Sequence, residues 1–115
     1  MNTLAEDKIR ALETIRGAIR SGEFSDDTCA HLEMIKQVTP SADGCEDCLK
    51  TGDVWVHLRL CLICGHVGCC DNSKNKHATK HFHDTQHAMI MSYEPGENWI
   101  WCYADEASVS PLINE

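Results

Sequence analysis

The chain has 115 residues, of which 18 are acidic and 10 basic, so its formal net charge is -8. This length suits one small domain, and the acidic balance argues against nucleic-acid binding, whose affinity comes largely from Lys and Arg. Eight Cys and seven His are a large share of so short a chain. A chain of this size has a limited core, so we expect a crosslink in addition to it.

The first predicted element is an amphipathic helix from Thr3 to Ser21, within an N-terminal unit of residues 1–22. Its apolar side chains recur at spacings of three and four residues, which places them on one helix face. They are Ala5, Ile9, Leu12, Ile15 and Ile19. We expect this face to cover the rest of the domain, or else a second copy of the chain, and the first interpretation is favoured.

The N-terminus predicts the compartment. Met1 to Asp7 contains charged residues and lacks the apolar stretch of a signal peptide. No run of apolar residues approaches the length of a membrane span. Because disulfides belong to oxidising compartments, we predict a cytoplasmic protein with reduced thiols and no membrane association.

Residues 23–106 form the second predicted unit, and residues 107–115 are expected to be a loosely ordered tail. Alternating or apolar runs predict three strands, and a polar stretch between them predicts a short helix. The strands are Val54–Cys61, His87–Tyr93 and Trp99–Tyr103, and the helix is Asn75–His83. The predicted fold is therefore small α+β, a short twisted antiparallel sheet with one or two helices, plus the N-terminal helix.

The sulfur and imidazole side chains have the spacing of metal ligands. Two CxxC pairs, Cys45 with Cys48 and Cys61 with Cys64, each bring two thiolates to one ion. Further candidate donors follow or precede them along the chain: Cys29, His31, Cys69, Cys70, His77, His81, His83, His87, Cys102 and Asp105. In a reduced chain this pattern indicates zinc, which stabilises the fold.

The order of these residues resembles the ubiquitin-protease-type (UBP) zinc finger, a module of deubiquitinating enzymes and of small stand-alone bacterial proteins. The resemblance extends from Cys29 to Asp105 and rests on a long series of spacings. Its elements are Cys61, Cys64, Gly65, Gly68 and Cys69, then His77, His81, Thr85 and His87, and finally Trp101, Cys102 and Tyr103.

The resemblance implies three zinc sites with four ligands each. The first is Cys45, Cys48, Cys69 and His77. The second is Cys61, Cys64, His81 and His87. The third is Cys29, His31, Cys102 and Asp105, where many relatives have a fourth Cys in place of Asp105.

Four remaining residues of the same types are Cys70, His57, His66 and His83. For each of them we expect a packed side chain, a surface side chain, or a partner that supports a ligand.

The resemblance also implies a binding pocket. In ubiquitin-binding relatives, aromatic residues matching Trp55, Trp101 and Tyr103 surround an extended diglycine tail, and Tyr93 and Trp99 are nearby in sequence. An Arg of those relatives holds the terminal carboxylate of the tail, whereas Asp71 stands at that position here. Arg59 is a candidate substitute for it.

The predicted function is therefore recognition of a protein or peptide tail, ubiquitin-like partners included, with weak or absent binding of a free ubiquitin-type C-terminus. Asp71 would favour a basic or amino-terminal group on the partner. Since every predicted zinc has four protein ligands and no hydrolase motif is present, we predict no enzyme activity. The alternative is a zinc-stapled structural or assembly domain without a peptide ligand. Oligomeric state is left open.

Overall fold

The computed structural model describes residues 4–20, 34–97 and 99–109. These residues form three helices and five strands. In chain order they are α1 Leu4–Arg20, α2 Glu46–Thr51, β1 Leu58–Cys61, β2 Val67–Cys69, α3 His77–Thr85, β3 Met89–Ser92, β4 Ile100–Cys102 and β5 Ala107–Val109. The strands form one sheet in the order β2-β1-β3-β4-β5, and every neighbouring pair is antiparallel. The predicted α+β class with an N-terminal helix is confirmed.

The predicted strand from Val54 to Cys61 is too long at its beginning, since β1 starts at Leu58. Val54 and Val56 are 74% and 54% exposed, although their alternation with polar residues is that of a half-buried strand. The backbone N–H of Val56 donates to Ser73 Oγ at 2.8 Å. The segment before β1 is therefore anchored by a side chain and is not paired in the sheet.

Three short elements were not predicted. Helix α2 begins after Cys45, whose sulfur accepts a hydrogen bond from the Cys48 N–H, and ends at Gly52 with φ 75°. Strand β2 has three residues. Strand β5 pairs with β4, so the predicted tail contributes its first residues to the sheet. Elements this short contain too few residues to show a periodic pattern.

The pairing register divides the sheet into two faces, because cross-strand partners point to the same side. Leu60 pairs with Val67 and Met91, and Met91 pairs with Ile100. These side chains are buried in the core. Arg59, Ile90 and Trp101 lie on the opposite face; this second face is called the outer face below.

Helix α3 lies against β2, and Gly68 makes this possible. A Cβ at Gly68 would lie 2.7 Å from the backbone nitrogen of Ala78, closer than any side chain allows. Since Gly68 pairs with Arg59, α3 is on the outer face. This close approach brings the His residues of α3 beside the cysteines of β1 and β2.

Helix α1 covers the core with its apolar face. Leu12 is fully buried among the core residues, and Leu4 and Ile15 pack against that core. Lys8 is also buried, and its ammonium donates to the Glu97 carbonyl. Burial lowers the pKa of Lys8, and the Glu97 carboxylate opposes that shift. The favoured expectation, that the helix packs on its own domain, agrees with these contacts.

Among the described residues, no helix has both the length and the apolar character needed to cross a membrane.

Replacing Leu12 by Ala should lower the free energy of unfolding of the metal-loaded protein by about 2–5 kcal/mol, because it opens a cavity in the core. Glu13→Ala, on the exposed side of α1, should change it by less than about 0.5 kcal/mol. Denaturant unfolding at two protein concentrations measures the free energy of unfolding of both variants. Equal effects of the two substitutions would show that α1 does not stabilise this domain.

Candidate metal centre

The first cluster joins α2, β2 and α3. Cys45 and Cys48 come from the start of α2, Cys69 ends β2, and His77 begins α3. Their four ligand atoms all lie within 4.8 Å of one another. The Nδ1 atom of His77 lies 3.2 Å from Cys45 Sγ, 3.3 Å from Cys48 Sγ and 3.5 Å from Cys69 Sγ. The three cysteines are completely buried.

N–H groups point at the sulfurs of this first cluster. The backbone N–H of His77 lies 3.2 Å from Cys69 Sγ, and that of Cys48 lies 3.4 Å from Cys45 Sγ. The side-chain amide of Asn75 lies 3.6 Å from Cys48 Sγ. Such donors stabilise thiolates rather than thiols, as expected for metal ligands.

The second cluster joins the β1–β2 turn to α3. Cys61 ends β1, Cys64 lies in the turn, His81 is on α3 and His87 follows it. These four ligand atoms also lie within 4.8 Å of one another. His81 faces Cys64 Sγ with Nε2 at 3.3 Å, and His87 faces Cys61 Sγ with Nδ1 at 3.7 Å.

The end of α3 places His87. Thr85 Oγ1 donates to the His81 carbonyl at 2.7 Å and accepts the His87 backbone N–H at 3.1 Å. Gln86 ends the helix in the left-handed conformation with φ 62°. The chain thus turns directly after the helix, and His87 faces back towards His81.

Both clusters fit zinc by donor type and by spacing. A tetrahedral zinc with bonds of about 2.0–2.3 Å to nitrogen and sulfur separates its ligand atoms by roughly 3.3–3.8 Å. The sulfur–nitrogen distances are 3.2–3.5 Å in the first cluster and 3.3 and 3.7 Å in the second. Each cluster would hold one ion, and each ion would crosslink the chain. The ligands are Cys45, Cys48, Cys69 and His77 in the first cluster and Cys61, Cys64, His81 and His87 in the second.

The charge of zinc would offset the cost of burying thiolates. Burial is the main cause that raises the pKa of Cys45 to about 12 and that of Cys61 to about 11. Burial also lowers the pKa of His81 to about 4, and the nearby His66 and His87 act in the same direction. Without metal the two thiols therefore keep their protons, whereas His81 stays neutral and can bind an ion.

The third predicted site is only partly covered by the structure. Cys29 and His31 lie outside the described residues. Cys102 is completely buried at the end of β4, and Asp105 is exposed in the turn that follows. A third zinc therefore stays a prediction.

The predicted pocket residues fall into two places. Trp101, Tyr103, Arg59 and Asp71 surround the outer face, where Tyr103 stacks on Phe82 of α3 with ring centroids 5.0 Å apart. Trp55 packs against the core instead, and a Cβ at Gly44 would come within 2.6 Å of its ring carbons.

Trp55 also lines a separate groove of about 380 Å³. Its other lining residues are Cys48, Leu49, Gly52, Asp53 and Val54. Tyr93 is buried in the core as well. Neither aromatic side chain therefore joins Trp101 on the outer face.

Sequence reasoning left two features of this region open. His66 accompanies the second cluster, stacked on His81 with ring centroids 4.2 Å apart; its position two residues after Cys64 was the one signal available. Cys70 is 4% exposed with its sulfur 3.6 Å from Ser73 Oγ, so it is a packed side chain.

The two clusters should lose metal in a fixed order, because Cys64 is exposed whereas the sulfurs of the first cluster are buried. We expect a chelator to remove the ion of the second cluster first. Cobalt-loaded protein reports this, since a three-thiolate site absorbs more strongly in the sulfur charge-transfer region than a two-thiolate site. Earlier loss of the stronger band would contradict the assignment.

Zinc affinity should rise with pH. Cys45 and Cys61 hold protons without metal and release them to solvent when the ion binds, so binding weakens as pH falls. Each released proton should change the affinity about tenfold per pH unit. Titration calorimetry between about pH 6 and pH 8 measures this dependence, and an affinity independent of pH would contradict it.

Comparison with known proteins places these clusters in a family. Residues 45–114 match the zf-UBP family, described as the zinc finger in ubiquitin-hydrolases and other proteins. The chain is 32% identical over 91 residues to the human BRCA1-associated protein, which covers 78% of the chain and 14% of that protein. It is 34% identical over 86 residues to human ubiquitin carboxyl-terminal hydrolase 45, covering 62% of the chain and 10% of that protein.

The chain thus spans about a seventh or less of these curated relatives. A solution NMR structure of the protein RPA1320 from Rhodopseudomonas palustris is similar with a TM-score of 0.69 and 56% identity. That similarity covers 76% of this chain and 86% of the other. With two Cys/His clusters of zinc-ligand spacing and a family match across more than half its length, this chain belongs to the UBP-type zinc-finger family, a zinc-binding module.

Proposed function

We propose that this zinc finger recognises an extended protein or peptide tail on its outer face and performs no catalysis. The tail would lie along the aromatic strip, defined as Trp99, Trp101 and Tyr103 on and beside β4. The observation that carries the proposal is the position of these rings on the face opposite the core. Trp99 is 40% exposed, and Trp101 and Tyr103 are half-buried.

Aromatic rings that are partly buried in the domain and partly exposed offer a fixed, flat surface, which suits a tail of small residues. Trp101 pairs with Ile90 on one side and Ser108 on the other, so its backbone is fixed within the sheet. Tyr103 is fixed by its stack on Phe82, with 13° between the ring planes. Rings held in this way lose little side-chain entropy when a partner binds.

The two ends of the strip carry opposite charges. The Arg59 guanidinium lies 4.6 Å from the centre of the Trp99 ring. Near Tyr103, the Thr79 hydroxyl donates to Asp71 Oδ1 and lies 3.4 Å from the Tyr103 oxygen. Burial raises the pKa of Tyr103, and the Asp71 carboxylate raises it further. A carboxylate on the partner would therefore approach Arg59 and avoid Asp71.

This charge arrangement supports weak binding of a free ubiquitin-type C-terminus. The Arg59 guanidinium donates one hydrogen bond to the Leu58 carbonyl at 3.0 Å, and a guanidinium group has five N–H donors in total. It therefore retains donors for a partner. Asp71 is exposed and stands where the resemblance to UBP-type zinc fingers implies an Arg, and its carboxyl group would favour a basic or amino-terminal group instead.

We also propose that zinc serves only as a crosslink here. Each described cluster supplies four protein donors, and a catalytic zinc keeps a position open for water. A third zinc held by Cys29, His31, Cys102 and Asp105 would complete the scaffold. Reduced thiols suit the cytoplasmic location expected from the sequence.

The alternative is a zinc-stapled assembly domain whose N-terminal helix docks on a partner or a second copy. It requires an apolar helix face available for docking. Leu12 is fully buried in the chain's own core, so the contacts of α1 favour the recognition module.

Asp71→Arg should strengthen binding of a peptide that ends in a free Gly-Gly carboxylate by at least about tenfold, because it replaces repulsion by attraction. Asp84→Arg makes the same charge change on the other side of α3, where Asp84 lines a cleft with Lys80 and Thr85. It should leave binding unchanged. Fluorescence titration with the free and the C-terminally amidated peptide measures both.

In the Asp71→Arg background, Trp101→Ala should abolish peptide binding while metal content stays constant. Leu49→Ala, at an exposed apolar residue in the separate groove, is its matched control. Absence of binding in Asp71→Arg, or binding that survives Trp101→Ala, would reject the tail pocket. Micromolar affinity of the unaltered protein for the free peptide would reject the role of Asp71.

A further inference from the structure

His66 connects the two metal clusters without belonging to either. Its ring stacks on the ring of His81 with 9° between the planes and 4.2 Å between the centroids. Its Nε2 lies 2.9 Å from Asp47 Oδ2. The His66 side chain is only 12% exposed, so both contacts are largely shielded from water.

Asp47 belongs to the helix that carries the first cluster. It lies on α2 between Cys45 and Cys48, both of which contribute sulfur to that cluster. His81 contributes its Nε2 to the second cluster beside Cys64 Sγ at 3.3 Å. The contacts from Asp47 to His66 to His81 therefore run from one cluster to the other.

Glu46 and Asp47 together with His66 also bring three ligand atoms within 4.8 Å. This group has protein partners of its own. Glu46 forms an ion pair with Lys50 at 3.6 Å, and Asp47 pairs with His66. Both carboxylates already have a partner within the chain, so the contacts do not require a further ion at this place.

We propose that His66 is a positioning residue for zinc, which fixes the His81 ring for the second cluster and ties it through Asp47 to the helix of the first. His81 has His66 against one ring face and the edge of His87 at 5.3 Å. A ring confined in this way keeps Nε2 directed at Cys64. Residues that contact a metal ligand, without binding the metal themselves, change metal affinity by orienting that ligand.

The same contacts couple the two clusters. Metal in the first cluster holds α2, and with it Asp47, in place. Asp47 in turn holds His66 against His81, so the second cluster should bind metal more tightly when the first is loaded. Because coupling is reciprocal, metal in the second cluster should strengthen the first by the same factor.

The test measures cobalt or cadmium affinity at each cluster by chelator competition. Thiolate absorption distinguishes the three-sulfur first cluster from a two-sulfur site, and the signal that is lost in Cys64→Ser identifies the second cluster. His66→Ala should weaken the second cluster by about 10–100-fold. His83→Ala removes an exposed imidazole from the same α3 helix, outside both clusters, and should leave both affinities unchanged.

Two conservative variants separate the contacts. His66→Phe keeps a ring to stack on His81 but loses the Asp47 contact, so it should recover most of the affinity and show weaker coupling between the clusters. Asp47→Asn should likewise lower the dependence of the second cluster on the first. Circular dichroism of the loaded proteins shows that each variant is folded.

Affinity of the second cluster within twofold of the unaltered protein in His66→Ala would overturn the positioning role. If His66→Ala does not fold, Asp47→Asn and His66→Phe still decide the proposal, because coupling unchanged in both would overturn it. Equal losses in His66→Ala and His83→Ala would also overturn it.

Discussion

The fold depends on ligands that alternate along the chain. The first cluster takes Cys45 and Cys48 before the second cluster's CxxC pair and Cys69 and His77 after it. The first group of four assembles only when α2, β2 and α3 lie together, and the second only when β1, the turn after it and α3 lie together. Because buried thiolates without a cation are unfavourable, the metal and the packing of these elements form together, and metal-binding free energy becomes folding free energy.

This constraint explains why one face of the sheet forms the core while the other carries α3 and the aromatic strip. One face packs its strands and α1 into a core that includes cysteines of the first cluster. The other face is covered by α3 beside β2 and β1, and Gly68 of β2 admits the helix backbone. The remainder of that face carries the aromatic strip, held by β3, β5 and Phe82. The metals thus build the support, and the partner would meet aromatic rings rather than an ion.

Much of this arrangement follows from the sequence. The CxxC pairs and the nearby Cys and His residues predict metal sites, because ligand chemistry depends on few residues and short distances. The resemblance to UBP-type zinc fingers is what divides these residues into the two described clusters. The outer-face position of Trp101 follows from strand alternation. Trp55 shows the limit of that reasoning: the alternation from Val54 to Leu60 suggests one continuous strand, yet Ser73 anchors the backbone at Val56. The hydrogen bond between Val56 and Ser73 joins residues that are distant in sequence, so no local sequence pattern indicates it.

His66 and Asp47 show the same limit. Neither has a ligand's spacing, and their meeting depends on how α2 approaches the β1–β2 turn. Short elements such as α2 and β5 are likewise stabilised by their neighbours, since the Cys45 sulfur that caps α2 also lies in the first cluster and β5 pairs with β4. Local patterns therefore predict the ligands, while the supporting side chains require the folded structure.

Zinc binding and folding of this chain are one coupled equilibrium. Native mass spectrometry of purified protein, followed by nuclear magnetic resonance of the amides after treatment with a strong chelator, tests it most directly. Tightly held zinc in at least both described clusters, and collapse of the amide dispersion when that zinc is stripped, is the predicted result. A chain that arrives without bound metal, or that keeps its dispersed spectrum once stripped, would contradict the account.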